Sequence, residues 1–144
     1  MKIVIGSDHG GFELKDYLAK YIEERDYELE DIGTFGTEST DYPDYAKKAC
    51  KMVLEGDADC AVLVCGSGIG MSIAANRYRG IRAALVSEPL SAELSRKHNN
   101  SNVLCLGGRL IGREMAVEIL EVFLNTSFEG GRHEKRLEKI DEGF

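Results

Sequence analysis

The sequence predicts an α/β fold in three layers: a five-stranded parallel sheet, helices on both of its faces, and one more helix at the C-terminus. Two observations predict it. Short β-rich runs alternate strictly with helical patterns, and right-handed crossovers between such strands leave little but a parallel sheet covered on both sides. Length is the second: 144 residues are most economically one domain, spanning 1–144 and large enough to bury roughly two-thirds of its unfolded surface.

In chain order, the expected strands are Lys2–Gly6, Glu28–Ile32, Cys60–Val64, Arg82–Val86 and Val103–Leu106. Between the first two, Leu14, Tyr17, Leu18, Tyr21 and Ile22 follow the 3.6-residue period of an amphipathic helix. Tyr42, Tyr45, Ala46, Ala49, Cys50 and Val53 repeat it, with Pro43 near the helix start, where proline is tolerated. Gly68–Tyr78, Ser91–His98 and Arg113–Leu124 supply three more helices, and Arg132–Ile140 the last. Only Asn125–Gly131 reads as a linker, and there is no internal repeat.

Composition narrows the function classes. With 43% hydrophobic and 30% charged residues the chain reads as an ordinary globular protein. Its net charge of −7 gives no support to nucleic-acid or anionic-membrane binding, so an anionic ligand must be met by a local cluster of arginines. Ile3-Val4-Ile5 is too short for a signal peptide, and no stretch approaches about 18 apolar residues, which makes the cytoplasm the expected compartment. Cys50, Cys60, Cys65 and Cys105 are scattered, without a CxxC pair, so reduced thiols are expected rather than zinc ligands or disulfides.

Five strands in this pattern suggest the order 2-1-3-4-5, whose topological switch point lies between strands one and three. Ligands bind there, at the carboxyl ends. Ser7-Asp8-His9-Gly10-Gly11 follows strand one and Cys65-Gly66-Ser67-Gly68-Ile69-Gly70 follows strand three, so the two most chemically loaded loops fall on one crevice. A glycine turn entering a helix leaves backbone N–H groups unpaired, able to hold a phosphate or a developing oxyanion. The helix dipole also favours the thiolate of a cysteine placed just before it. Thiolate and oxyanion hole together suit proton abstraction beside a carbonyl, or acyl transfer.

Rival chemistries fit less well. Gly66, Gly68 and Gly70 form GxGxG rather than GxGxxG and follow the third strand rather than the first, against a dinucleotide site, although Glu88 stands about where a ribose-binding acid would. A cysteine phosphatase needs Arg six residues after Cys65, where Met71 stands, and a receiver domain needs an aspartate in place of Cys65. Free cysteine is most often a small buried hydrophobe, and Cys60 and Cys105 inside strands are read so; Cys65 gains a second reading from its glycines and the switch point. His9 gains from the crevice loop, and His98 ends a helix whose dipole would favour its cation. A metal held by Asp8, His9 and Cys65 lacks any local ligand spacing. Arg132 and Arg136 share a helical face, either as a solvated surface with Glu134 and Glu138 or as a clamp on one phosphate.

The motifs "IGSDHGG", "CGSGIGMSIAANR", "GIRAAL", "HNNSNVLCLGGR" and "RHEKR" run along essentially the whole chain. In them the chain resembles the type B ribose-5-phosphate isomerases, of the broader sugar-phosphate isomerase family that includes galactose-6-phosphate isomerase subunits. The resemblance implies a Rossmann-like fold and a cofactor-free aldose–ketose isomerisation of a sugar phosphate through an enediolate, with no metal. Cys65 matches the base, Ser67 the hydroxyl, more often Thr, that aids proton exchange between oxygens, and His98 the acid/base that opens the furanose ring. Gly66, Gly68, Ile69 and Gly70 match the anion hole. Asp8, His9, Asn99, Arg109, Arg132 and Arg136 match substrate contacts, and Tyr42 falls near a position lining the pocket. One branch of the family uses a carboxylate just after the glycine turn; here that position is Met71. "SEPLSAE" departs from the family and bears on sugar specificity, leaving allose 6-phosphate or galactose 6-phosphate, or a non-catalytic phosphosugar-binding subunit, as alternatives. The resemblance further implies a homodimer, often paired into a tetramer, whose sites are completed by His98, Asn99 and Arg109 of the neighbouring subunit.

Overall fold

Each expected strand and helix is present in the computed structural model, which describes residues 1–143. The elements are β1 Lys2–Ser7, α1 Phe12–Glu23, β2 Glu28–Asp31, α2 Tyr42–Leu54, β3 Cys60–Cys65 and α3 Ile69–Ala75. Then follow β4 Ala83–Leu85, α4 Pro89–Asn99, β5 Val103–Gly107, α5 Arg113–Asn125 and α6 Glu134–Glu142. Two elements differ most from expectation. The third helix stops at Ala75 rather than Tyr78, and the last begins at Glu134 after a 3-10 turn over Gly131–His133.

All strand pairs are parallel, and the sheet order is β2-β1-β3-β5-β4. The expected order 2-1-3-4-5 is therefore corrected at one edge. The reason is visible in the strands: β5, Val-Leu-Cys-Leu-Gly, is buried throughout, whereas β4 is three residues long and ends on an exposed Leu85. A strand covered on both faces must be apolar throughout, so β5 takes the inner slot and β4 the rim. The switch point between β1 and β3 is unaffected.

Alternation along the strands divides the core. Ile3, Ile5, Val62, Val64, Leu104 and Leu106 pack against α1 and α5 with Ala92 of α4. Val4, Ala61, Leu63, Cys65, Val103 and Cys105 face α2 and α3. Cys65 thus ends β3 on the face that α3 covers. Among the described residues no helix is long and apolar enough to cross a membrane.

Lys15 reads in sequence as the polar face of α1, yet its side chain is fully buried. Its Nζ donates to Asp31 Oδ2 at 2.9 Å and lies 4.6 Å from the centre of the Phe35 ring. Removing one partner of such a pair strands the other charge. Asp31→Asn is expected to lower stability by about 3 kcal/mol, read from the shift of the urea midpoint at constant m; an unmoved midpoint would show that the lysine needs no carboxylate.

Candidate active site

The loops after β1 and β3 meet at the switch point, where a cleft of about 590 Å³ is lined by Asp8, Tyr42, Cys65, Gly66, Ser67, Ile69, Gly70, Ile73, Arg109 and Leu110. Asp8 caps the 3-10 turn over His9–Gly11, its Oδ1 accepting from the Gly11 N–H at 3.1 Å. His9 is held in that turn by a reciprocal pair: its N–H donates to Thr40 Oγ1, and its Nδ1 accepts from the Thr40 N–H, both at 3.2 Å. With Nδ1 an acceptor, the ring proton belongs on Nε2. His9 adjoins the cleft without lining it.

The Gly68 N–H donates to Cys65 Sγ at 3.2 Å, which fixes the sulfur at the mouth of the glycine turn. Gly68 has φ of 78°, in the left-handed region, and a Cβ there would stand 2.8 Å from the Leu106 carbonyl carbon. Only glycine meets both conditions at once. Ser67 Oγ accepts from the Ile69 N–H at 3.2 Å as α3 begins. The Tyr42 ring lies against Gly70, where a Cβ would come within 2.7 Å of it. Cys65 alone of the four cysteines lines the cleft. Burial pushes the Cys50 and Cys60 thiols up to about 12, and the fully buried Cys105 thiol well up as well.

Arg109 was expected from a neighbouring subunit; it lines the cleft of its own chain instead. Its N–H donates to Gly66 O at 3.0 Å and the Gly108 N–H donates to Cys65 O at 2.8 Å. This splices the end of β5 onto the glycine turn and brings the guanidinium over Gly66, within 3.2 Å of a Cβ built there. The order β3-β5 makes that possible, since the assumed order would have put β4 between them.

His98, Asn99, Arg132 and Arg136 are absent from this cleft. His98 and Asn99 end α4, Arg132 lies in the 3-10 turn before α6, and Arg136 is exposed on α6. The His98 ring stacks on His133 with centroids 4.6 Å apart and planes 17° apart. Glu129 stands beside them, Oε2 at 3.7 Å from His133 Nε2. One ligand atom from each of the three lies within 4.8 Å of the others, but in-plane lone pairs on near-parallel rings do not converge on one ion. The site residues therefore form two groups: Asp8, Tyr42, Cys65, the glycine turn and Arg109 in one, His98, Asn99, Arg132 and Arg136 in the other.

The pattern of the ribose/galactose isomerases matches residues 3–140. The chain belongs to this family. Ribose-5-phosphate isomerase B of Escherichia coli is 48% identical over 96% of this chain and 93% of its own length. The crystal structure of a ribose 5-phosphate isomerase from Thermotoga maritima superposes with a TM-score of 0.97 at 57% identity, covering 98% of this chain and 97% of that one. A ribose-5-phosphate isomerase B from Mycoplasma genitalium, solved with bound ribulose-5-phosphate, gives 0.93 at 38% identity over 98% and 94%.

Within this ribose/galactose isomerase, several neighbours of the site escaped the sequence reading. Thr40, which orients His9, lies in a loop with no motif of its own. Ile73 and Leu110 line the cleft although both are largely exposed. His133 stood inside "RHEKR", a motif read only for its arginines. Glu88, weighed above as a ribose-binding acid, caps α4 instead: its carboxylate accepts from the Ser91 N–H at 3.0 and 3.1 Å, which holds the carboxyl below its ordinary range.

Proposed function

We propose that this chain, working as one domain in the cytoplasm, is an aldose–ketose isomerase that interconverts ribose 5-phosphate and ribulose 5-phosphate. The observation that carries the reading is the placement of Cys65: one thiol, pinned by the Gly68 N–H, in a cleft that also holds Asp8 and Arg109. The names of the ribose-5-phosphate isomerase relatives support the substrate.

In this reading the Cys65 thiolate removes the proton from C2 of the open-chain aldose. The electron pair forms the C1–C2 double bond and the negative charge settles on O1. Backbone N–H groups of the glycine turn stabilise that oxygen more than they stabilise the carbonyl, which is the condition for acceleration. Cys65 returns the proton to C1, while Ser67 helps move the hydroxyl proton from O2 to O1. Asp8, His9, Tyr42 and Arg109 contact the substrate. Comparing kcat/KM for ribose, allose and galactose phosphates tests the substrate. Ribose 5-phosphate should lead the panel; a six-carbon phosphate ahead of it would overturn the assignment.

The second group completes the site from a neighbouring subunit of a homodimer. The split supports this, since His98 is not in the cleft that holds Cys65. So does the rim, where Ile69, Ile73 and Leu110 are 50%, 61% and 70% exposed in the isolated chain. His98 then opens the furanose ring, Asn99 contacts the sugar, and Arg132 and Arg136 take the phosphate. Replacing either arginine by Ala should raise KM roughly 10- to 100-fold with little change in kcat, as for the loss of one charged hydrogen-bonding partner. Unchanged KM in both variants would mark that face as a solvated surface only.

A further inference from the structure

One side chain joins the segments that carry the second group. Arg82 immediately precedes β4, and its side chain is 15% exposed. Its Nη1 donates to both carboxylate oxygens of Asp141, at 3.0 and 2.7 Å. Its Nε donates to Asn99 O at 2.9 Å, and its Nη2 to Asn100 O at 3.3 Å. Asp141 is in the last turn of α6, which bears Arg136; Asn99 and Asn100 end α4, which bears His98.

The geometry gives the guanidinium two tasks. Carbonyls at a helix C-terminus lack intrahelical partners and attract a cation, so Arg82 finishes α4, where Asn100 turns left-handed at φ 46°. The planar fork then carries that fixed position across to Asp141, because its donors diverge at set angles. Arg82 is itself held: its N–H donates to Asn102 Oδ1 at 2.8 Å, and Asn102 Nδ2 donates to Gly80 O at 2.9 Å. The start of α6 is fixed by the stack of His133 on His98, and its last turn has fewer contacts. Leu137 is its one buried residue, and Arg79 holds its end through Glu142 O at 2.9 Å.

We propose that the Arg82–Asp141 pair is a positioning clamp for the isomerase reaction, setting the separation between α4 and α6 so that His98, Asn99 and Arg136 reach a neighbour's cleft as one rigid unit. Every nitrogen of the guanidinium is engaged, so Arg82 acts through these residues and does not touch substrate. The proposal rests on the shared-site reading above.

Arg82→Met keeps the apolar stem and removes the fork. Displacing reacting groups by about 1 Å costs on the order of 100-fold in rate, and that loss of kcat/KM is expected, with Arg82→Lys restoring little of it because an ammonium has no fork. Two crosses then assign the defect to a half-site. Random pairing of two chains makes half the dimers mixed. Lesions in different halves leave one intact site per mixed dimer, roughly a quarter of all sites; lesions in the same half leave none.

Arg82→Met co-expressed with Cys65→Ala should therefore recover about a quarter of wild-type activity, and with His98→Asn essentially nothing. Recovery with His98→Asn, or no recovery with Cys65→Ala, would overturn the clamp. The cross of Cys65→Ala with His98→Asn tests the shared site separately. If that control recovers nothing, the shared-site reading falls, and the clamp is judged by Arg82→Met alone, where wild-type kcat/KM would end it. Should Arg82→Met fail to fold by circular dichroism, Asp141→Asn takes its place in every cross with the same expected pattern.

Discussion

Cys65→Ala should bind sugar phosphate as the wild type does and turn it over at least about a thousandfold more slowly. General-base catalysis contributes about 10²–10⁴ in rate, and the upper part of that range applies because Met71 occupies the position after the glycine turn and Asp8, the carboxylate in the cleft, is engaged with the Gly11 N–H. The expected signature is a fall in kcat and kcat/KM together, the mark of a contact made only in the transition state. Structure should survive. Alanine removes a single sulfur atom at the end of β3 and leaves the Gly68 N–H without its sulfur acceptor, a change confined to the glycine turn. Near-normal turnover by this variant would remove the thiol from the mechanism.

Alkylation should separate the four cysteines by orders of magnitude. The thiolate is the reactive form. Cys50 and Cys60 have pKa values raised to about 12, so at pH 8 roughly one molecule in ten thousand carries either thiolate. Cys105 is fully buried, which pushes its thiol in the same direction. Raising the pH increases the reactive fraction of these three, so their labelling is expected to grow above about pH 10. Iodoacetamide at pH 8 should place one label on the native protein, at Cys65 by peptide mass, with activity lost in proportion and ribose 5-phosphate protecting. Labelling at another cysteine, or full activity in the labelled protein, would contradict the site.

What could be read from the residues alone follows from what is local. Strand and helix positions depend on periodicity within one segment, and these were legible throughout. Strand adjacency depends on which apolar strand wins the inner slot, which no segment states by itself; β4 and β5 were therefore transposed. The same transposition hid the place of Arg109, since only the neighbouring of β3 and β5 brings that residue over Gly66. Lys15 was illegible for another reason. A lysine on an amphipathic helix is read as solvated, and its burial becomes favourable only through Asp31, which ends the next strand, and Phe35 beyond it. The cleft itself was legible because topology puts the ends of β1 and β3 side by side in either strand order.

The proton that Cys65 moves can be followed directly. Wild-type and Cys65→Ala protein are each saturated with ribose 5-phosphate in deuterium oxide, and ¹H NMR follows the substrate C2 proton and the product C1 protons as the pools equilibrate. Proton transfer through an enediolate predicts solvent deuterium at those carbons with the wild type and none above the uncatalysed rate with Cys65→Ala. Deuterium entering at equal rates with both proteins would contradict the assignment of Cys65 as the base.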